Sequence, residues 1–333
     1  MVGHGAAVLA PDLHPGACTH ARALDASCQA CEDVCAEIAI FPAGPDLHLD
    51  PTACSGCGAC VAACPQRALA QPQAAPVIAA RRSGQVAVAL CARHPAAQGR
   101  AAATCVHALS LADLATLLAD GIVDLALATG DCEGCAIRPL TTVDDPLARL
   151  AAICASRGLL AITARPAGPG DLALLPAADP LDDPARRALF RAGSPPPAPP
   201  PDPRPTLVAL HRHAARDQVP VFAFSPAIDA ARCTGCDACV TICPAQALVL
   251  GAGPAYHADA ARCTGCALCL DVCDVDAVTV TPLAAAAPDV ALSAWRCRAC
   301  GVPSHAPGAA PADGLCRICR ETGHHKKLFQ VFT

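Results

Sequence analysis

The sequence predicts a chain of small α+β modules flanking an α/β parallel-sheet domain, closed by a compact four-cysteine knuckle. Three observations carry that expectation. Twenty-five cysteines in 333 residues fall into four groups, at 18–64, 91–154, 233–273 and 297–319, most of them in short regular spacings. The second group lies among apolar runs that alternate between strand and helix character. A run of prolines at 192–205 divides the chain.

The first group carries the complete run Cys54-x2-Cys57-x2-Cys60-x3-Cys64-Pro65, preceded by the incomplete Cys28-x2-Cys31-x3-Cys35. This spacing suits a [4Fe-4S] cubane, because three closely spaced thiolates wrap one cluster and the fourth cysteine of the run crosses to its neighbour. By that rule Cys54, Cys57, Cys60 and Cys35 hold one cluster, while Cys28, Cys31 and Cys64 need a fourth ligand. Asp25 stands where a regular run has its first cysteine, and Cys18 can fold back if 19–27 form a loop or a helical turn. Cys18 is preferred, since iron–sulfur sites select the softer thiolate. A three-iron cluster and an Asp25-ligated one are the competing readings.

In the second group, Gln85–Leu90 reads as a buried strand ending at Cys91, and 101–104 as another ending at Cys105. Residues 110–120 have helical periodicity with Ser110 at the N-cap and Gly121 beyond the end. A strand over 122–128 leads to Cys132-x2-Cys135; a helix over 146–157 and a strand over 159–162 follow. Such alternation implies a parallel sheet, whose carboxyl edge would gather the four cysteines. Cys154, on the apolar side of its helix, reads as core filling.

The stretch Ala192–Pro205 is too rich in proline for helix or sheet and reads as a stiff spacer. Beyond it, Cys233-x2-Cys236-x2-Cys239-x3-Cys243-Pro244 is repeated thirty residues later as Cys263-x2-Cys266-x2-Cys269-x3-Cys273, each within Asp-Ala-Ala-Arg-Cys-Thr-Gly-Cys. The crossed rule gives Cys233, Cys236, Cys239 and Cys273 to one cluster, and Cys263, Cys266, Cys269 and Cys243 to the other. The last group, Cys297-x2-Cys300 and Cys316-x2-Cys319, has the spacing of a zinc ribbon or a rubredoxin knuckle: four thiolates closing a tetrahedral site for structural zinc or a single iron. His305, His324 and His325 are substitute donors, and the tail His324-His-Lys-Lys327 is locally basic.

Residues 220–283 resemble the bacterial two-cluster ferredoxins, with one departure: Asp274 stands where that family has a proline after the fourth cysteine. Residues 15–75 resemble the same family, with Ala36 in place of the proline and a stretched entry to the first cluster. The resemblance implies ferredoxin-like α+β modules that carry electrons. Residues 84–165 look like the small iron–sulfur subunit of methyl-viologen-reducing hydrogenase, although a second cysteine of that family's first motif is missing after Cys91. That resemblance implies a [2Fe-2S] cluster on Cys91, Cys105, Cys132 and Cys135, and as partner a larger oxidoreductase of the hydrogenase, formate dehydrogenase or heterodisulfide-reductase type. An α/β domain with free thiols is the other reading.

The expected domains are thus 15–75, 84–190, the linker 192–206, 220–283 and 294–322, with up to four [4Fe-4S] clusters. Cysteines in metal-ligand spacings argue against a secreted disulfide scaffold. The first residues lack a basic start and a long apolar run, and no stretch approaches a bilayer span, so the expected location is the cytoplasm. A net charge of −5 and six Phe, one Tyr and one Trp argue against nucleic-acid binding. Phosphate-loop, dinucleotide-loop and nucleophile-elbow motifs are missing. Electron relay is therefore the leading function. Thiol or sulfur chemistry at Asp25 or in the middle domain, and cluster-based redox sensing, are the alternatives.

Overall fold

The computed structural model describes residues 10–70, 78–79, 86–98, 100, 102, 105–135, 140–175, 204–215 and 218–323. Most of the proline-rich stretch, the tail from 324 and most of the expected strand at 101–104 fall outside them. The chain divides into two compact units, Met1–Leu24 with Cys28–Val221, and Asp25–Ser27 with Phe222–Thr333.

The first unit opens with β1 (Asp12–Leu13), the hairpin β2 (Ile40–Ala43) and β3 (Asp46–Leu49), the short helix α1 (Ala59–Ala63) and β4 (Leu69–Ala70). β4 closes antiparallel on β1, and β2 pairs with β3 from Ile40↔Leu49 to Ala43↔Asp46. Ile40, Leu47, Ala59 and Leu69 form a thin core with Cys18 and Cys60 inside it.

The middle segment contains β5 (Ile78–Ala79), β6 (Val86–Leu90), α2 (Leu111–Ala119), β7 (Asp124–Ala128), α3 (Asp144–Ala155), β8 (Thr163–Pro166) and α4 (Pro169–Ala173). β6, β7 and β8 pair in parallel, and β5 lies antiparallel on the outer side of β6. Ala87–Leu90 are buried without a break, the pattern of a strand covered on both faces. α2 begins with a capping box: Ser110 Oγ accepts from Asp113 N, and the Asp113 carboxylate accepts from Ser110 N. Its Leu114 and Leu117 pack with Leu125 of β7 and with Leu150 and Cys154 of α3.

The last strand begins later than its apolar run suggests. α3 ends before Gly158, which takes left-handed backbone (φ +66), and Leu159 N bonds back to Cys154 O. Residues 159–162 are therefore spent returning from the helix, and pairing with β7 starts at Thr163. α5 (Arg204–His211) packs against α2. Buried Arg157 ties the end of α3 to it, donating to Ile153 O and His211 O.

The second unit runs β9 (Val221–Ile228), α6 (Ala238–Ile242), β10 (Leu248–Leu250), β11 (Ala255–Ala258), α7 (Leu268–Asp271), β12 (Val278–Ala285), β13 (Val290–Arg296), β14 (Pro303–Pro307) and α8 (Arg317–Thr322). β9 pairs with β12, while β10, β11, β13 and β14 form one antiparallel sheet. The hairpin that carries the last cysteine group thus extends the sheet of the third. Among the described residues no helix is long and apolar enough to cross a membrane.

Candidate iron–sulfur and metal sites

The cysteine loops are built from one repeated turn. Three residues after each run-ending cysteine the backbone is left-handed, at Ile38, Arg67, Gln246 and Asp276, with φ between 47° and 55°. Each such non-glycine residue costs about 1–3 kcal/mol. The turn aims the next amide at the cysteine: Ala39 N donates to Cys35 Sγ and Ala68 N to Cys64 Sγ at 3.3 Å, Ala247 N to Cys243 Sγ and Ala277 N to Cys273 Sγ at 3.2 Å. An N–H aimed at sulfur stabilises the thiolate that iron requires. Entry to three runs is fixed by an aspartate four residues upstream, whose carboxylate accepts backbone N–H bonds: Asp50 from Thr52, Asp229 from Ala231, Asp259 from Ala261. Ala21, at the matching place for the first run, has no such carboxylate.

These loops gather the cysteines into crossed sets. A cavity is lined by Cys18, Cys28, Cys31 and Cys64 with Leu47 and Leu69. Cys18 reaches it through a single turn, Ala23 N to Thr19 O, while the His20 ring bonds Cys28 O at 2.9 Å. Burial, then the charges of Cys64, Cys28 and Cys18, push the Cys31 thiol up to about 12. Cys60 is likewise pushed up to about 12, by burial first and then by Cys57, Cys54, Cys31 and Cys35.

In the second unit a cavity is lined by Cys243, Cys263, Cys266 and Cys269 with Leu248 and Val280. Cys263 is pushed up to about 11 by burial, aided by Cys266 and Cys243 and opposed by the Gly265 N–H. Cys239 is pushed up to about 12, by burial and then by Cys233, Cys236 and Cys273. The paired sets adjoin, since Cys31 acts on Cys60 and Cys239 on Cys269. Soft donors crowded in apolar cavities, where a thiol stays protonated unless a cation takes its place, fit iron–sulfur clusters.

In the middle segment Cys91 continues the ladder beyond β6, its N–H bonding Ala128 O at 3.0 Å. Cys132 and Cys135 lie in the loop after β7. Cys105 is pushed up to about 12 by burial, opposed by the His107 N–H and aided by Cys91, Cys57 and Cys135. That Cys57 acts here follows from α1, which packs on the turn Val106–Ala108. His107 Nε2 lies 3.5 Å from Cys132 Sγ, and its Nδ1 accepts from Val143 N at 3.4 Å. The backbone donor assigns the proton to Nε2, which donates to the sulfur. His107 belongs to none of the cysteine spacings; its place two residues after Cys105 is the one signal of it in the sequence. Cys154 is fully buried in the core.

Cys297, Cys300, Cys316 and Cys319 bring their donor atoms within 4.8 Å of one another, a spacing for one metal ion. The backbone N–H groups of Cys300 and Cys316 pull the Cys297 thiol down to about 5. His305 lies in β14 with its ring on Asp237 at 2.8 Å, and His324 and His325 fall outside the described residues.

Residues 226–280 match the family described as 4Fe-4S dicluster domain, and residues 47–70 the 4Fe-4S binding domain. No curated protein matches the chain. The chain therefore carries two ferredoxin-type 4Fe-4S segments, which suggest an iron–sulfur electron-transfer role.

Two outcomes follow. Cys18→Ala removes up to four irons per chain, or leaves a three-iron cluster visible by electron paramagnetic resonance, while Asp25→Ala leaves the iron content unchanged; iron loss confined to Asp25→Ala would make the aspartate the ligand. Metal uptake at 297–319 strengthens as pH rises from about 6 to about 9, because the Cys319 thiol, raised by burial, must lose its proton to bind. Competition with a chromogenic chelator across that range reads the effect, and a flat affinity would contradict it.

Proposed function

We propose that the chain is a multi-cluster electron-transfer protein, relaying single electrons between a larger redox enzyme and another carrier. The observation that carries this reading is adjacency within each unit. Cys31 and Cys60 couple the set 18/28/31/64 to the set 35/54/57/60, and Cys57 and Cys105 couple the latter to the middle cysteines. Cys239 and Cys269 couple the sets 233/236/239/273 and 243/263/266/269 in the same way.

On this reading the four crossed sets each hold a [4Fe-4S] cluster, and Cys91, Cys105, Cys132 and Cys135 hold a [2Fe-2S] cluster. Structural zinc at Cys297, Cys300, Cys316 and Cys319 shapes the last module. A cubane on four cysteines exchanges one electron at a time and has no open iron for substrate. The protein's part is to exclude water with Leu47, Leu69, Leu248 and Val280, and to aim N–H groups at the sulfurs, both of which set the potential. The resemblance of 84–165 makes a hydrogenase, formate dehydrogenase or heterodisulfide-reductase type enzyme the partner, in the cytoplasm.

One observation favours a second reading: a histidine N–H on Cys132 stabilises a thiolate, as chemistry on a sulfur or disulfide substrate would need. Anaerobic titration separates the two. The relay predicts that the reduced chain returns about four electrons to an acceptor, one per cubane, or about five with an occupied middle site, and turns over no disulfide. Disulfide turnover that disappears in Cys132→Ser while the cubane signals remain would establish the second reading instead.

A further inference from the structure

We propose that the C-terminal four-cysteine module serves the neighbouring cluster: Arg317, carried between the metal ligands Cys316 and Cys319, is a positioning residue that clamps the loops of Cys233 and Cys273 and sets the potential of the cluster they hold. This rests on the reading that Cys233, Cys236, Cys239 and Cys273 hold a cubane.

The clamp grips residues beside the ligands. Arg317 forms an ion pair with Asp274, the residue directly after Cys273, and donates to Thr234 Oγ1, directly after Cys233, at 3.2 Å. Its Nε is engaged by Glu321 at 2.8 Å. α8 starts on a metal ligand, because Cys316 Sγ accepts from Cys319 N at 3.4 Å, so metal bound there fixes the helix that carries Arg317. A second grip comes from β14. The His305 carbonyl sits so close to Gly235 that a Cβ there would strike it, and the His305 ring bonds the Asp237 carboxylate, which also accepts from the buried Tyr256 hydroxyl at 2.6 Å.

The internal repeat provides the control. Its two halves match through Asp-Ala-Ala-Arg-Cys-Thr-Gly-Cys, yet the clamped residues differ: Ala267 stands opposite Asp237, and Pro244 opposite Asp274. Gly265, the twin of Gly235, faces the Phe224 ring and not β14. The departure from the ferredoxin proline therefore has a physical use. Asp274 is the anchor for a cation that a proline cannot hold.

Reduction adds one negative charge to a cluster, so a nearby cation favours it and an unpaired carboxylate opposes it. The Arg317 and Asp274 side chains are 33% and 50% exposed, which leaves the effect open to screening by salt.

The test is a potentiometric titration of the full-length, cluster-loaded chain, followed by electron paramagnetic resonance, with iron and zinc measured on every variant. Arg317→Gln moves one component to lower potential by about a tenfold change in its reduction equilibrium, about 59 mV for one electron, and leaves the others in place. Arg317→Lys recovers part of the shift. Asp274→Asn moves the same component the opposite way, which a general loss of folding would not do. Cys300→Ser, which weakens the metal site, moves it in the direction of Arg317→Gln. Unmoved potentials in Arg317→Gln and Asp274→Asn at full iron content would overturn the clamp alone, whereas a wild-type chain lacking the irons of 233–273 would overturn the reading beneath it.

Discussion

The structure depends on a conflict between burial and ionisation at its cysteines. Cys31, Cys60, Cys239 and Cys263 sit where desolvation holds their thiols protonated far above neutral pH, yet a metal ligand must be a thiolate. Only a bound cation resolves this, and the aimed amide N–H groups contribute part of the stabilisation in advance. With six Phe, one Tyr and one Trp in 333 residues, the small modules have few large side chains to build a core. On the proposed reading, sulfur–iron bonds take the place of apolar packing, as disulfides or metals do in other small domains.

The four run-ending turns show how this is achieved with unequal sequences. Ile38, Arg67, Gln246 and Asp276 have nothing chemical in common, but all adopt the left-handed backbone that directs an amide to a sulfur. Such a turn is legible from cysteine spacing and not from the residue that makes it. The three complete runs were legible for the same reason. The incomplete one was legible as Cys28, Cys31 and Cys35; that Cys18 lines the same cavity, through the turn at Thr19–Ala23, was not legible from spacing.

In the middle segment the strands β6 and β7 and the capped helix α2 were legible because their apolar patterns and cap residues are local. The final strand was misjudged by four residues, since apolar side chains at 159–162 serve the return from α3 equally well. Distant contacts outside the crossed cysteine runs were not legible. His107 on Cys132, α1 on the turn after Cys105, and Arg317 on Asp274 join positions 25 to 43 or more residues apart, and no cysteine spacing covers them. Asp274 was visible only as a missing proline; its partner lies in a different module.

These contacts turn separate motifs into ordered neighbours: two cysteine sets and the middle cysteines in the first unit, two sets beside the four-cysteine module in the second. An electron carrier needs such order more than it needs an open site. The most direct test is the iron, acid-labile sulfide and zinc content of the anaerobically purified chain. The account predicts about sixteen irons per chain from four cubanes, or about eighteen with the middle site filled, beside one zinc. About eight irons in fully loaded protein, the content of one dicluster segment, would contradict it.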